Sequence, residues 1–105
     1  MGGSGSRGWE PPRVDNPCEN LSFQSAVNSP QAAVLKTLKA GFVLDVKLQT
    51  VPHVAVQLFY KGNLVGALSG KKVPTLVNCL QNTYKFKADV VSISGGNCQV
   101  EVRPA

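Results

Sequence analysis

Val54-Ala55-Val56-Gln57-Leu58-Phe59-Tyr60-Lys61-Gly62-Asn63-Leu64-Val65-Gly66-Ala67-Leu68 settles the class of this fold. Val54 to Tyr60 and Leu64 to Leu68 are apolar runs of strand length and strand composition. Only Lys61-Gly62-Asn63 separates them, and Gly and Asn are the residues a tight hairpin demands. The two segments should pair antiparallel.

Upstream, Phe42, Leu44, Val46 and Leu48 alternate with Val43, Asp45, Lys47 and Gln49, the period of a half-buried strand. A turn at Pro52 joins that strand to the hairpin. Before it, Ser29-Pro30 offers an N-cap followed by a favoured first helical residue. Val34, Leu35 and Leu38 then fall at helical spacing until Gly41, so a helix over about residues 30–40 is expected. Lys36 and Lys39 suit the negative end of its dipole and need no ligand.

Downstream, Pro74 sits where a first helical turn tolerates it. Val73, Leu76, Val77 and Leu80 form the stripe of a second amphipathic helix over about residues 72–82. Tyr84, Phe86, Ala88 and Val90 then alternate with Lys85, Lys87 and Asp89. The apolar phase shifts to Val91 and Ile93, which implies a bulge near Val90. Gly95-Gly96 makes a hairpin loop that pairs Ile93 with Cys98 and Val91 with Val100, placing Cys98, Val100 and Val102 on one face. The order of helix, three strands, helix and two strands predicts an α+β domain. Its form is a small twisted antiparallel sheet or partly closed barrel of about five strands with two helices.

The chain has 105 residues, enough for one core. Residues 1–17 hold Gly, Ser and Pro with Trp9 as their one large aromatic. They read as a flexible tail ahead of a single domain over 18–105. No apolar run approaches the roughly 18–20 residues that span a bilayer. The N-terminus lacks the continuous apolar stretch of a signal peptide, so a cytoplasmic, bacterial or cytosolic type of protein is expected, with no membrane partner. The three cysteines, Cys18, Cys79 and Cys98, are odd in number and widely spaced, and read as free thiols. With His53 they lack the paired spacing of a zinc site, so no metal and no cofactor is expected.

Catalysis is not indicated either. His53, the one histidine, lies in a turn with no carboxylate nearby in sequence. Asp89 and Glu101 come near-opposite across the last hairpin, but among Lys85, Lys87 and Arg103 they read as surface ion pairs. Binding is therefore expected rather than an enzyme activity.

Charge points to the partner. The formal net charge is +5, and after residue 20 only Asp45, Asp89 and Glu101 oppose nine lysines and arginines. A basic surface favours DNA, RNA or another phosphate-bearing ligand. Two places stand out. Ser69-Gly70-Lys71-Lys72 leads into the second helix, where an anion would offset two lysines at the positive end of the dipole. Lys85 and Lys87 share the strand face opposite Tyr84 and Phe86, free to follow phosphates. The expected binding residues are Lys71, Lys72, Lys85 and Lys87. The alternative is a protein-interaction or assembly domain, a homodimer included, that pairs through an exposed sheet edge.

Residues from about 38 to 103 resemble a HIRAN domain. The resemblance rests on Leu38-Lys39-Ala40-Gly41-Phe42-Val43-Leu44-Asp45-Val46, on Val54 to Leu58, on the Lys61 to Leu68 hairpin, and on the Leu76 to Leu80 helix. It extends to Phe86 to Val90, Ile93, Gly95-Gly96 and Val100-Glu101-Val102. It implies an OB-like small barrel and nucleic acid as partner. Leu48 to His53 is shorter than the family's stretch there and has neither Asp nor Asn. The family's Arg-aromatic step has no counterpart before Ser29, so recognition of a strand end carries over to no residue.

Overall fold

The computed structural model describes residues 17–105. The elements are α1 (Pro17–Asn20), β1 (Phe23–Asn28), α2 (Ala32–Leu35), β2 (Val43–Gln49), β3 (Ala55–Tyr60), β4 (Asn63–Leu68), α3 (Val73–Gln81), β5 (Phe86–Ser94) and β6 (Asn97–Pro104). The tail expected over 1–17, Trp9 included, lies outside the described residues except for Pro17. The described residues thus form a sheet-dominated α+β domain with six strands and three helices, against the five and two expected.

The strands pair antiparallel in the order β1-β4-β3-β2-β5-β6. Because β1 also pairs with β6, the ladder returns to its start. The central hairpin forms as its sequence requires: Lys61 and Gly62 both take positive φ, at 50° and 84°, the conformation of a two-residue turn between twisted strands. Inward positions follow period two. Leu44, Val56, Leu58, Val65, Ala88, Val100 and Val102 are fully buried, and Leu76 and Cys79 of α3 pack with them in one core. Each fully buried leucine or valine there contributes about 1.5–3 kcal/mol by leaving water.

Four expectations need correction. β1 was not expected, because Ser25 breaks the apolar alternation of Phe23 and Val27. Its strand conformation comes from partners on both sides, with Phe23 to Ala26 against β6 and Val27 and Asn28 against β4. The first helix is a single turn over Ala32–Leu35, not a helix over 30–40. Ser29 is no cap but a positive-φ residue at 48°, and beyond Leu35 the backbone tightens to three-residue bonds, Thr37 to Val34 and Leu38 to Leu35.

The bulge near Val90 is present, but it lies between Val90 and Ser92 and leaves Val91 as the extra residue. Val100 therefore pairs with Val90 instead of Val91, while Ile93 pairs with Cys98 as expected. Finally, Cys18 and Cys79 are not free thiols. They form a disulfide across 61 residues of sequence, with Cα atoms 5.4 Å apart, tying α1 to α3. Only the fold brings two such distant cysteines within bonding range. Cys98 is free and buried on the inward face, as its pairing predicts.

One contact fixes how closely β1 approaches β4. A Cβ on Gly66 would overlap Val27 Cγ1 and stand 2.7 Å from the Asn28 carbonyl oxygen. Only glycine lets the two backbones meet there.

Candidate binding cleft

The cleft begins where a ladder stops. β2 pairs with β3 over its later part, Asp45 to Gln49 against Phe59 to Ala55, but with β5 only from Val43↔Asp89 to Asp45↔Lys87. Past Asp45 the two strands diverge. Between them lies a cleft of about 270 Å³, with Val46, Leu80, Tyr84 and Phe86 as apolar lining and Lys47, Lys85 and Lys87 around it.

The backbone bonding at this place follows from strand alternation. Val90 N–H donates to the Phe42 carbonyl at 2.8 Å, so Phe42 turns its backbone polar groups towards β5. In an antiparallel strand alternate residues bond to the same side, so Leu44, Val46 and Leu48 also face β5. Leu44 meets Ala88. The Asp45↔Lys87 pair, lying between bonded positions, brings Phe86 N–H to the Val46 carbonyl, and Leu48 lies beyond the end of the ladder with no strand partner on that side among the described residues. Just before β5, Lys85 gives its carbonyl to Ala105 N–H at 2.9 Å, on the β6 side, so the backbone of Phe86 faces β2.

Electrostatics sort the lysines. Lys87 Nζ lies 2.6 Å from Asp45 Oδ1, a partly exposed pair that closes the ladder. Lys47 Nζ stands 5.3 Å from the centroid of the Phe59 ring, a cation–π contact that leaves its charge unneutralised. Lys85 is exposed, with no carboxylate in salt-bridge range among the described residues. Next to this group the register sets like charges opposite each other, Lys87↔Arg103 and Asp89↔Glu101. A diagonal fork relieves the clash: Arg103 Nε donates to Asp89 Oδ2 at 2.6 Å and Nη2 to Oδ1 at 3.1 Å. The hydrogen bond and charge of Asp89, and then Glu101, push the Arg103 pKa up. Arg103 and Asp89 are thus occupied with each other, and the cleft keeps Lys47, Lys85 and a half-neutralised Lys87.

The expected lysines divide into two groups. Lys85 and Lys87 stand at the cleft, joined by Lys47, which sequence reasoning missed as a site residue; its place opposite Lys85 depends on the β2–β5 pairing. Lys71 and Lys72 are exposed at the other end of α3, where Lys72 is the N-cap. Leu80 of the cleft is eight residues on, about 12 Å along the helix axis. The structure does not gather all four lysines into one site.

The remaining candidates stay separate. His53 is exposed in the β2–β3 turn, and its carbonyl accepts a 3.4 Å bond from Gln49 Nε2. Among the described residues no three His, Cys, Asp or Glu side chains cluster as a metal site. Burial pushes the Cys98 thiol pKa up, which keeps it protonated and unreactive. Among the same residues no helix is long and apolar enough to cross a membrane. No family model, curated protein or solved structure matches this chain.

Proposed function

We propose that this domain is a binding module for nucleic acid or another phosphate-bearing ligand, not an enzyme. The observation that carries this reading is the convergence of Lys47 of β2, Lys87 of β5 and Lys85 just before β5 around one cleft with an apolar lining. Cations of that kind neutralise phosphates while the lining accepts an apolar face of the ligand. Lys71 and Lys72, about 12 Å away along α3, extend the contact to further phosphates of one strand, spaced by about 3.4 Å of axis each. The resemblance of residues 38–103 to HIRAN domains, and the OB-like character it implies, point the same way. Against catalysis stand the engagement of Asp45 and Asp89 in ion pairs and the solvated position of His53.

The test is a titration with DNA and RNA oligonucleotides across salt. Affinity should fall steeply as salt rises, with a log–log slope near the number of phosphates contacted. Absence of binding at low salt would end the reading.

A second reading, a protein-interaction domain using a sheet edge, is favoured by one observation: Leu48 keeps its backbone groups directed past the end of the β2–β5 ladder, with no strand partner there among the described residues. On location, the Cys18–Cys79 disulfide supports an oxidising compartment over the cytoplasmic one expected from the sequence.

A further inference from the structure

We infer that one end of the ring of strands, led by the β2–β3 turn, docks on the surface of an anionic phospholipid bilayer. The inference rests on the phosphate reading above and names a lipid surface as the phosphate-bearing partner.

The topology gathers this end. Because neighbouring strands run antiparallel, the finish of β2, the start of β3, the finish of β4 and the start of β5 lie together, as Gln49↔Ala55, Val56↔Leu68 and Asp45↔Lys87 require. Three connections therefore share it: the turn over 50–54, the link over 69–72 and the link over 82–85. α3 joins the last two and lies against β2 and β3. Lys71 and Lys72 stand at the start of α3 and Lys85 past its finish, with Lys47 and Lys87 on the neighbouring strands. No acidic residue lies in α3. Among the described carboxylates, Asp45 is paired with Lys87 and Asp89 with Arg103, which leaves Glu19 of α1 and Glu101 of β6 to oppose the lysines.

The spread of these lysines suits a plane. A ligand held in the cleft reaches Lys47, Lys85 and Lys87, whereas Lys71 and Lys72 stand about 12 Å away along α3. A layer of headgroups meets all of them at once. An anionic leaflet attracts such lysines together and releases them as salt screens the charge.

The turn supplies the apolar half. Val51 is 78% exposed and Val54 56%, more than any other large hydrophobic residue among the described ones. The Gln49 side chain, donating to the His53 carbonyl, ties this turn back to the finish of β2. Apolar side chains at the tip of a turn, on an end rich in lysine, match the boundary where headgroups meet acyl chains. Nucleic acid satisfies the lysines but offers the two valines no apolar medium. A second copy of the chain docked end to end sets lysines against lysines. Docking of this kind lies on the bilayer and needs no crossing helix, so it replaces the expectation of no membrane partner that rested on the lack of a long apolar run.

The experiment uses the full chain with vesicles of phosphatidylcholine alone and of phosphatidylcholine mixed with phosphatidylserine, read by co-sedimentation across salt. The expected result is binding to the mixed vesicles only, weakening as salt rises. The variant Val51→Ser, Val54→Ser, changed at exposed positions of a turn, should bind them at least about threefold more weakly. Val43→Ser, exposed at the opposite end of β2, should bind as the unaltered chain does. No binding to mixed vesicles at low salt would overturn the proposal. Equal binding by the double serine variant would overturn it as well, since the lysines alone would then suffice. An oligonucleotide titrated in parallel separates this proposal from the reading it rests on. Oligonucleotide binding without vesicle binding keeps the phosphate reading and removes this one, and failure of both removes both. The double serine variant should bind the oligonucleotide unchanged; an equal loss there would place the valines against nucleic acid and overturn the lipid surface.

Discussion

Asp45 and Lys87 are the last paired residues of the β2–β5 ladder and are joined by a 2.6 Å ion pair, so the end of the sheet and the edge of the cleft are one place. The pair holds the two strands together just before they part. It also takes part of the charge that Lys87 would otherwise offer to a ligand.

Asp45→Ala separates these two roles. Partly exposed ion pairs contribute little, so stability should change by no more than about 1 kcal/mol. Affinity for a single-stranded oligonucleotide should rise severalfold, because Lys87 regains its full charge. Chemical denaturation and a binding titration on the same protein check both statements, and weaker binding would place Asp45 among the contacts instead.

The Cys18–Cys79 bond should contribute about 2–4 kcal/mol, since it closes a long loop of the unfolded chain. The double variant Cys18→Ala, Cys79→Ala should show a lower urea midpoint by a matching amount. In unreduced, denatured protein, alkylation followed by mass measurement should modify one thiol, Cys98. Three modified thiols would show that the pair is reduced.

Gly66→Ala should destabilise by about 1–3 kcal/mol or more through overpacking, because the added methyl would press on Val27, on the Asn28 carbonyl and on the Pro30 backbone. Gly96→Ala, with open space around it, should cost far less. Equal thermal midpoints for the two variants would contradict the close approach of β1 to β4.

Cys98 gives an alkaline signature. Burial raises its folded pKa, so above about pH 8.5, where an unfolded thiol ionises, the folded state holds more protons than the unfolded one. The contribution is whole below that pH, and stability declines as pH rises towards the folded value. Urea midpoints of the chain and of Cys98→Ala should therefore converge between neutral pH and about pH 10, the variant losing less. Parallel decline would mean that the thiol is not perturbed.

What the sequence disclosed depended on how local the cause was. The β3–β4 turn, the inward face of β6 and the phase shift near Val90 are dictated by residues within a few positions of each other, and all are present. β1 was hidden because Ser25 dilutes a short alternation and its partners lie far off in sequence. The Cys18–Cys79 bond was hidden for the same reason. At the cleft, Lys85 and Lys87 were legible from one strand's alternation. Lys47 was not, since its relation to them depends on how far β2 runs past the β5 ladder.

The central claim is that Lys47, Lys85 and Lys87 bind phosphates as one group. Its most direct test is the salt dependence of oligonucleotide binding by the unaltered chain and by the triple variant Lys47→Ala, Lys85→Ala, Lys87→Ala. Losing three phosphate contacts should lower the log–log slope by about 2–3 and weaken binding uniformly across sequences. An unchanged slope, with folding intact, would contradict the account.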